Sequence, residues 1–135
     1  MAETEEKPQA FVFLLTDQFS MMAFAAAIEP LRQANRLSRR DLYSWQIASE
    51  GGGPVTCSNG CTIAADIGLT DLSRDTAVVV CTGINLRDAC SRPILAWLRT
   101  QTRRGVHRAV DAGTGAELSR QSGFPGCPRR LCHRR

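Results

Sequence analysis

Cys81-Thr82-Gly83 closes an apolar run that begins at Thr76. The carboxyl end of a buried strand is where an α/β protein holds a nucleophile or a ligand. A catalytic thiol there needs a base within reach, and the chain's two histidines are His107 and His133. The other reading of Cys81 is the strand's last packed residue, with Gly83 letting the chain turn. Gly113-Thr114-Gly115 follows a possible strand at His107 to Asp111, and glycines at a strand-to-helix turn let backbone donors approach an anion or an oxyanion. Asp17, Phe19 and Ser20 follow the first apolar run and are the third candidate group. For Ser20 the competing reading is an ordinary helix cap. Cys57-x-x-x-Cys61 and Cys127-x-x-x-x-Cys132-His133 contain no repeated CxxC pair, so neither a metal nor a cofactor is expected.

These residues need elements to position them. Phe11 to Leu15 (FVFLL) is a continuous apolar run, the pattern of a strand buried on both faces of a parallel sheet. Ser20 then heads a segment whose Phe24, Ala27, Ile28, Leu31 and Ala34 recur at helical spacing. Pro30 inside it is expected to kink that helix or split it in two. Leu42 to Ala48 alternates as a strand. Ser58-Asn59-Gly60 marks a turn between two short extended pieces in Val55 to Ile63. Thr76 to Cys81 is the clearest buried strand, and Pro93 opens a helix that stops near Gly105. Ala116 to Gln121 could begin another helix. Strands alternating with helices predict right-handed βαβ units, hence a parallel sheet covered on both faces. Trp45 and Trp97 are expected to pack on that sheet rather than stack on a base or a quaternary amine.

Composition narrows the class. The chain has 135 residues, 43% of them hydrophobic and 22% charged, which fits one globular domain and excludes a disordered or collagenous chain. Its formal charge of +4 is unevenly placed. Residues 1–100 hold nine Lys+Arg against eleven Asp+Glu, and residues 101–135 hold eight against two. The body is therefore slightly acidic, which argues against a nucleic-acid-binding surface there. The first ten residues are acidic and polar, unlike a secretory leader, and the apolar run behind them is far too short to span a bilayer. A cytoplasmic chain with free thiols and no membrane partner is expected.

The segment Phe19 to Ser38 (FSMMAFAAAIEPLRQANRLS), followed by Leu42-Tyr43-Ser44-Trp45, Pro54-Val55 and Ser58-Asn59-Gly60, resembles the amino-terminal domain of GlxA-like transcriptional regulators. Those proteins join a ThiJ/PfpI-like (class I glutamine-amidotransferase-like) domain to a carboxy-terminal AraC-type helix-turn-helix. The resemblance covers roughly residues 10–120 and implies a flavodoxin-like three-layer αβα sandwich with a mostly parallel sheet. It also implies a small-molecule effector. Among these regulators the nearest set senses amine or amino-acid metabolites such as betaine, carnitine or arginine. A homodimer is implied for full-length relatives, with DNA contacted only through the carboxy-terminal domain.

Family enzymes keep an acid after the first strand and a cysteine at a nucleophile elbow. By resemblance these fall at Ser20 and within Ala109 to Gly115, where Asp111 and Thr114 stand but no cysteine does. The expectation is therefore a non-catalytic sensing domain with a ligand set of Asp17, Phe19, Ser20, Cys81, Thr82, Gly83, Asp111, Thr114 and Gly115. The alternative is a ThiJ/PfpI-like hydrolase of amidase, peptidase or glyoxalase type using a cysteine nucleophile. Residues 1–9 are expected to be a disordered tail, 10–121 the sensing domain and 122–135 an irregular arginine-rich tail. Val106-His107-Arg108 departs from the small apolar residues expected there, and SGFPGCPRRLCHRR reads as a frameshifted or truncated end. On that reading the sheet is incomplete at its carboxyl end and the helix-turn-helix is absent.

Overall fold

Alternation of side chains across two adjacent strands divides the core into two halves, one on each side of a sheet. The computed structural model describes residues 6–83 and 90–112. In chain order the elements are β1 (Gln9–Leu15), α1 (Met21–Ser38), β2 (Tyr43–Ala48), β3 (Val55–Thr56), β4 (Thr62–Ile63), β5 (Ala77–Cys81), α2 (Arg92–Arg103) and β6 (His107–Ala112). The principal sheet has the order β2-β1-β5-β6 and every pairing in it is parallel. Strands β3 and β4 form a separate antiparallel hairpin.

Period-two alternation sends Val12 and Leu14 of β1, with Val78 and Val80 of β5, to one face. There they meet Ile94, Trp97 and Leu98 of α2. Phe13, Leu15, Val79 and Cys81 take the opposite face, against Phe24, Ala27, Ile28 and Leu31 of α1. Phe24 sets its ring edge-on to both Phe13 and Phe19, with centroids 5.8 and 5.9 Å away. The result is the αβα sandwich expected from sequence. Both tryptophans join it: Trp97 is buried in the α2 half and Trp45 packs against the α1 half.

Local chemistry explains the element ends. Ser20 caps α1, its hydroxyl accepting from the Ala23 N–H at 3.3 Å. Ser91 does the same for α2, with Pro93 in the first turn. After α2, Gly105 takes φ +86° and the Val106 N–H donates back to the Gln101 carbonyl, a closing turn that glycine's left-handed freedom permits.

The expectation that Pro30 could split the helix is corrected. Helix α1 runs unbroken from Met21 to Ser38 with Pro30 inside it. Pro30 and Ala26 are both exposed, so the bond that Pro30 cannot donate to the Ala26 carbonyl is missing from the solvent side of the helix rather than from the core. Neighbouring alanines keep the ring's side of the helix uncrowded. The proposed Gly113-Thr114-Gly115 turn and the helix at Ala116 to Gln121 lie outside the described residues.

Candidate functional site

Chain order runs from β1 outward to β2, then returns to the other side of β1 for β5 and continues to β6. The carboxyl ends of β1 and β5 therefore flank the switch point of the sheet, where open α/β folds leave a crevice for ligands. Asp17 to Ser20 follow β1 there, and Thr82 and Gly83 follow β5.

Backbone bonds draw the two segments together. The Thr16 N–H and hydroxyl both donate to the Cys81 carbonyl, at 3.2 and 3.1 Å. The Ser20 N–H donates to the Thr82 carbonyl at 3.0 Å, and Phe19 bridges Gly83. A Cβ on Gly83 would overlap the Gln18 carbonyl oxygen and crowd the Phe19 Cα, so only glycine allows this approach. Gln18 itself adopts φ +57°, a left-handed conformation uncommon outside glycine. It is held by its N–H to the Thr56 carbonyl at 3.0 Å, while the Phe19 carbonyl accepts from the Ser58 N–H at 2.9 Å. The turn after β1 is thus gripped by β5 on one side and by the β3–β4 hairpin on the other. The hairpin is legible from Ser58-Asn59-Gly60, but its contact with this turn is not, since no local signal states where a hairpin docks.

Each candidate residue has a distinct place. Asp17 is exposed at the turn. Phe19 is fully buried and packs with Phe24 and Cys57 in the α1 half of the core. Ser20 is partly buried, and its hydroxyl is engaged in capping. Cys81 and Thr82 are fully buried. Asp111 belongs to β6, whose register with β5 shifts between Val79 and Cys81, so that Cys81 stands opposite Ala112. The backbone thereby brings Asp111 to the same end of the sheet as Cys81. Thr114 and Gly115 lie outside the described residues.

Among the described residues no three His, Cys, Asp or Glu side chains gather closely enough to hold a metal ion, and no helix is long and apolar enough to cross a membrane. A charged cleft of about 690 Å³, lined by Glu6, Lys7, Arg39, Arg40 and Asp41 among others, lies by the start of β1 and the residues leading into β2. That is the amino end of the strands, opposite the switch-point crevice.

The fold is that of the ThiJ/PfpI and DJ-1-like proteins. A solved AraC family transcriptional regulator from Pseudomonas putida superposes with a TM-score of 0.67 at 28% identity, over 86% of this chain and 62% of that one. A DJ-1 superfamily protein from Agrobacterium tumefaciens superposes at 0.59 with 20% identity, over 86% of this chain and 58% of that one. In sequence the chain is homologous to curated HTH-type transcriptional regulators. It is 39% identical to GbdR of Pseudomonas aeruginosa over 73% of its own length and 27% of the relative's. It is 42% identical to CdhR of the same species over 78% of this chain and 32% of that protein. To GlxA of Rhizobium meliloti it is 42% identical over 56% of this chain and 23% of that protein. The chain thus spans about a quarter to a third of the length of the curated relatives it matches. No protein-family model matches it. The resemblance carried by the EPLRQANRLS block and LYSW is upheld: this is a GlxA-like, ThiJ/PfpI-type sequence related to AraC-type regulators.

Proposed function

We propose that this chain is the small-metabolite-sensing part of an AraC-type transcriptional regulator, and that it binds its effector without turning it over. The observation that carries the reading is the built junction at the carboxyl ends of β1 and β5. Three backbone contacts and an obligatory glycine hold the turn after β1 against the end of β5. Such a fixed junction costs the chain little further ordering when a ligand arrives.

The residues there favour binding over covalent chemistry. Ser20 stands where the family's acid is expected and its hydroxyl is already a cap. Cys81 is fully buried at the strand end, whereas a nucleophile must reach its substrate. Asp17 offers an exposed carboxylate to a cationic group, which supports an amine or amino-acid effector of the betaine, carnitine or arginine kind. The longer relatives carry HTH-type names. Operator contact and dimerisation in this scheme belong to the longer regulator, with the effector's presence passed on from this domain.

The test is a ligand panel combined with turnover assays on the purified chain. A rise in melting temperature with one of these amines, and no amidase, peptidase or glyoxalase activity, is the expected outcome. Turnover that Cys81→Ala abolishes would replace this reading with the hydrolase one.

A further inference from the structure

The tip of the β3–β4 hairpin carries two thiols, Cys57 and Cys61, on either side of Ser58-Asn59-Gly60. The ladder pairs Val55 with Ile63 and Thr56 with Thr62. One step further Cys57 lies opposite Cys61, its N–H donating to the Cys61 carbonyl at 2.8 Å. The Gly60 N–H returns to the Cys57 carbonyl at 3.0 Å, and Gly60 takes φ +91°, as in a three-residue loop closed by a glycine bulge. Opposed residues on a two-stranded ribbon share a face, with Cβ atoms about 4.5–5.5 Å apart. A disulfide needs about 3.8 Å, so a small local adjustment closes the gap.

Asn59 adds an independent constraint. Its side-chain oxygen accepts from the Cys57 Sγ and also, at 2.9 Å, from the Cys61 N–H. Cys57 is 1% exposed and belongs to the α1 half of the core, while its thiol donates to Asn59 at the exposed tip. Cys61 is exposed, and neither thiol is in a disulfide.

We propose that Cys57 and Cys61 form a two-electron thiol–disulfide couple that responds to hydroperoxides. The Cys61 thiolate attacks the peroxide; an S–O bond forms, the O–O bond breaks, and the leaving alkoxide takes up a proton and departs as an alcohol, or as water from hydrogen peroxide. Cys57 then gives up its Sγ proton and attacks the sulfenic sulfur. The S–S bond forms, the S–O bond breaks, and the hydroxide leaves with a proton as water. The two sulfurs lose two electrons and the peroxide gains them. Because Ser58 holds the Phe19 carbonyl and Thr56 holds the Gln18 N–H, the bond would fasten the hairpin that supports the turn after β1. The couple does not depend on what ligand that turn binds.

The experiment uses the full reduced chain with Cys127→Ser and Cys132→Ser, treated with hydrogen peroxide, capped with N-ethylmaleimide and digested with trypsin. The expected product is a peptide spanning residues 41–74 that has lost two hydrogens, takes up no maleimide and recovers both thiols with dithiothreitol. Cys61→Ser, at an exposed position, should retain the parent melting transition and lose this product entirely. Cys61 found as sulfinic or sulfonic acid beside a reduced Cys57, Cys61 joined to another cysteine or a second chain, or both thiols still open to maleimide after excess peroxide would each overturn the proposal.

Discussion

Gly83 is the residue on which the junction between β1 and β5 turns, because a side chain there meets main-chain atoms rather than a flexible neighbour. Gly83→Ala should destabilise the chain by about 1–3 kcal/mol, the usual range for forcing atoms into packed space. Gly51→Ala, where the added carbon meets nothing within 4 Å, should leave the thermal melt nearly unmoved. Equal effects at the two positions would mean that the close approach is not there. Ser20→Ala should cost about 1 kcal/mol through the lost cap, and Ser20→Asp should restore it, both read from chemical denaturation. Ser20 was legible in the sequence because its capping partner is Ala23, three residues along. Phe19 is a different matter. It was expected to face a ligand, but its ring is buried among Phe24 and Cys57, partners that only the folded chain brings together.

Helix α1 shows how element-level context overrides a local rule. Pro30 was expected to kink or split the helix; it does not split it, and the exposure of Pro30 and Ala26 accounts for that tolerance. Pro30→Ala should therefore stabilise the chain, by up to about 3 kcal/mol, since alanine restores the missing donor; an unchanged or lower melting temperature would contradict this. On the same helix the Arg32 guanidinium hydrogen-bonds Glu29 and holds its carboxyl below the usual glutamate range. The sign follows from that lowering: the pair's contribution is complete above the unfolded value and is lost as pH falls through the folded one. Both side chains are exposed, so salt screens the pair. Glu29→Gln should scarcely change the neutral-pH melt in physiological salt. On α2 the stakes are higher at Gln101. It is 2% exposed, accepts from the Leu72 N–H at 3.1 Å and donates to Asp71 at 3.1 Å. Gln101→Leu leaves that buried N–H without its acceptor and should cost about 1–3 kcal/mol.

At the scale of the whole molecule, the doubly covered parallel sheet was legible from the apolar runs FVFLL and TAVVVC and the helical spacing between them. Strand order was not, because nothing in the composition of β5 says that it returns beside β1 rather than β2. That order is what places Asp17 to Ser20 and Cys81 to Gly83 together at the switch point of the sheet, and it also leaves the charged cleft of Lys7, Arg39 and Arg40 at the opposite end. The two ends make opposite statements about where an effector binds. Backbone amide shifts of the isotope-labelled chain, titrated with betaine, carnitine and arginine, distinguish them directly. A binding amine is expected to shift Thr16 to Ser20 and Thr82 to Gly83 and to leave Lys7 and Arg39 to Leu42 unmoved. Shifts confined to Lys7 and Arg39 to Leu42 would contradict it.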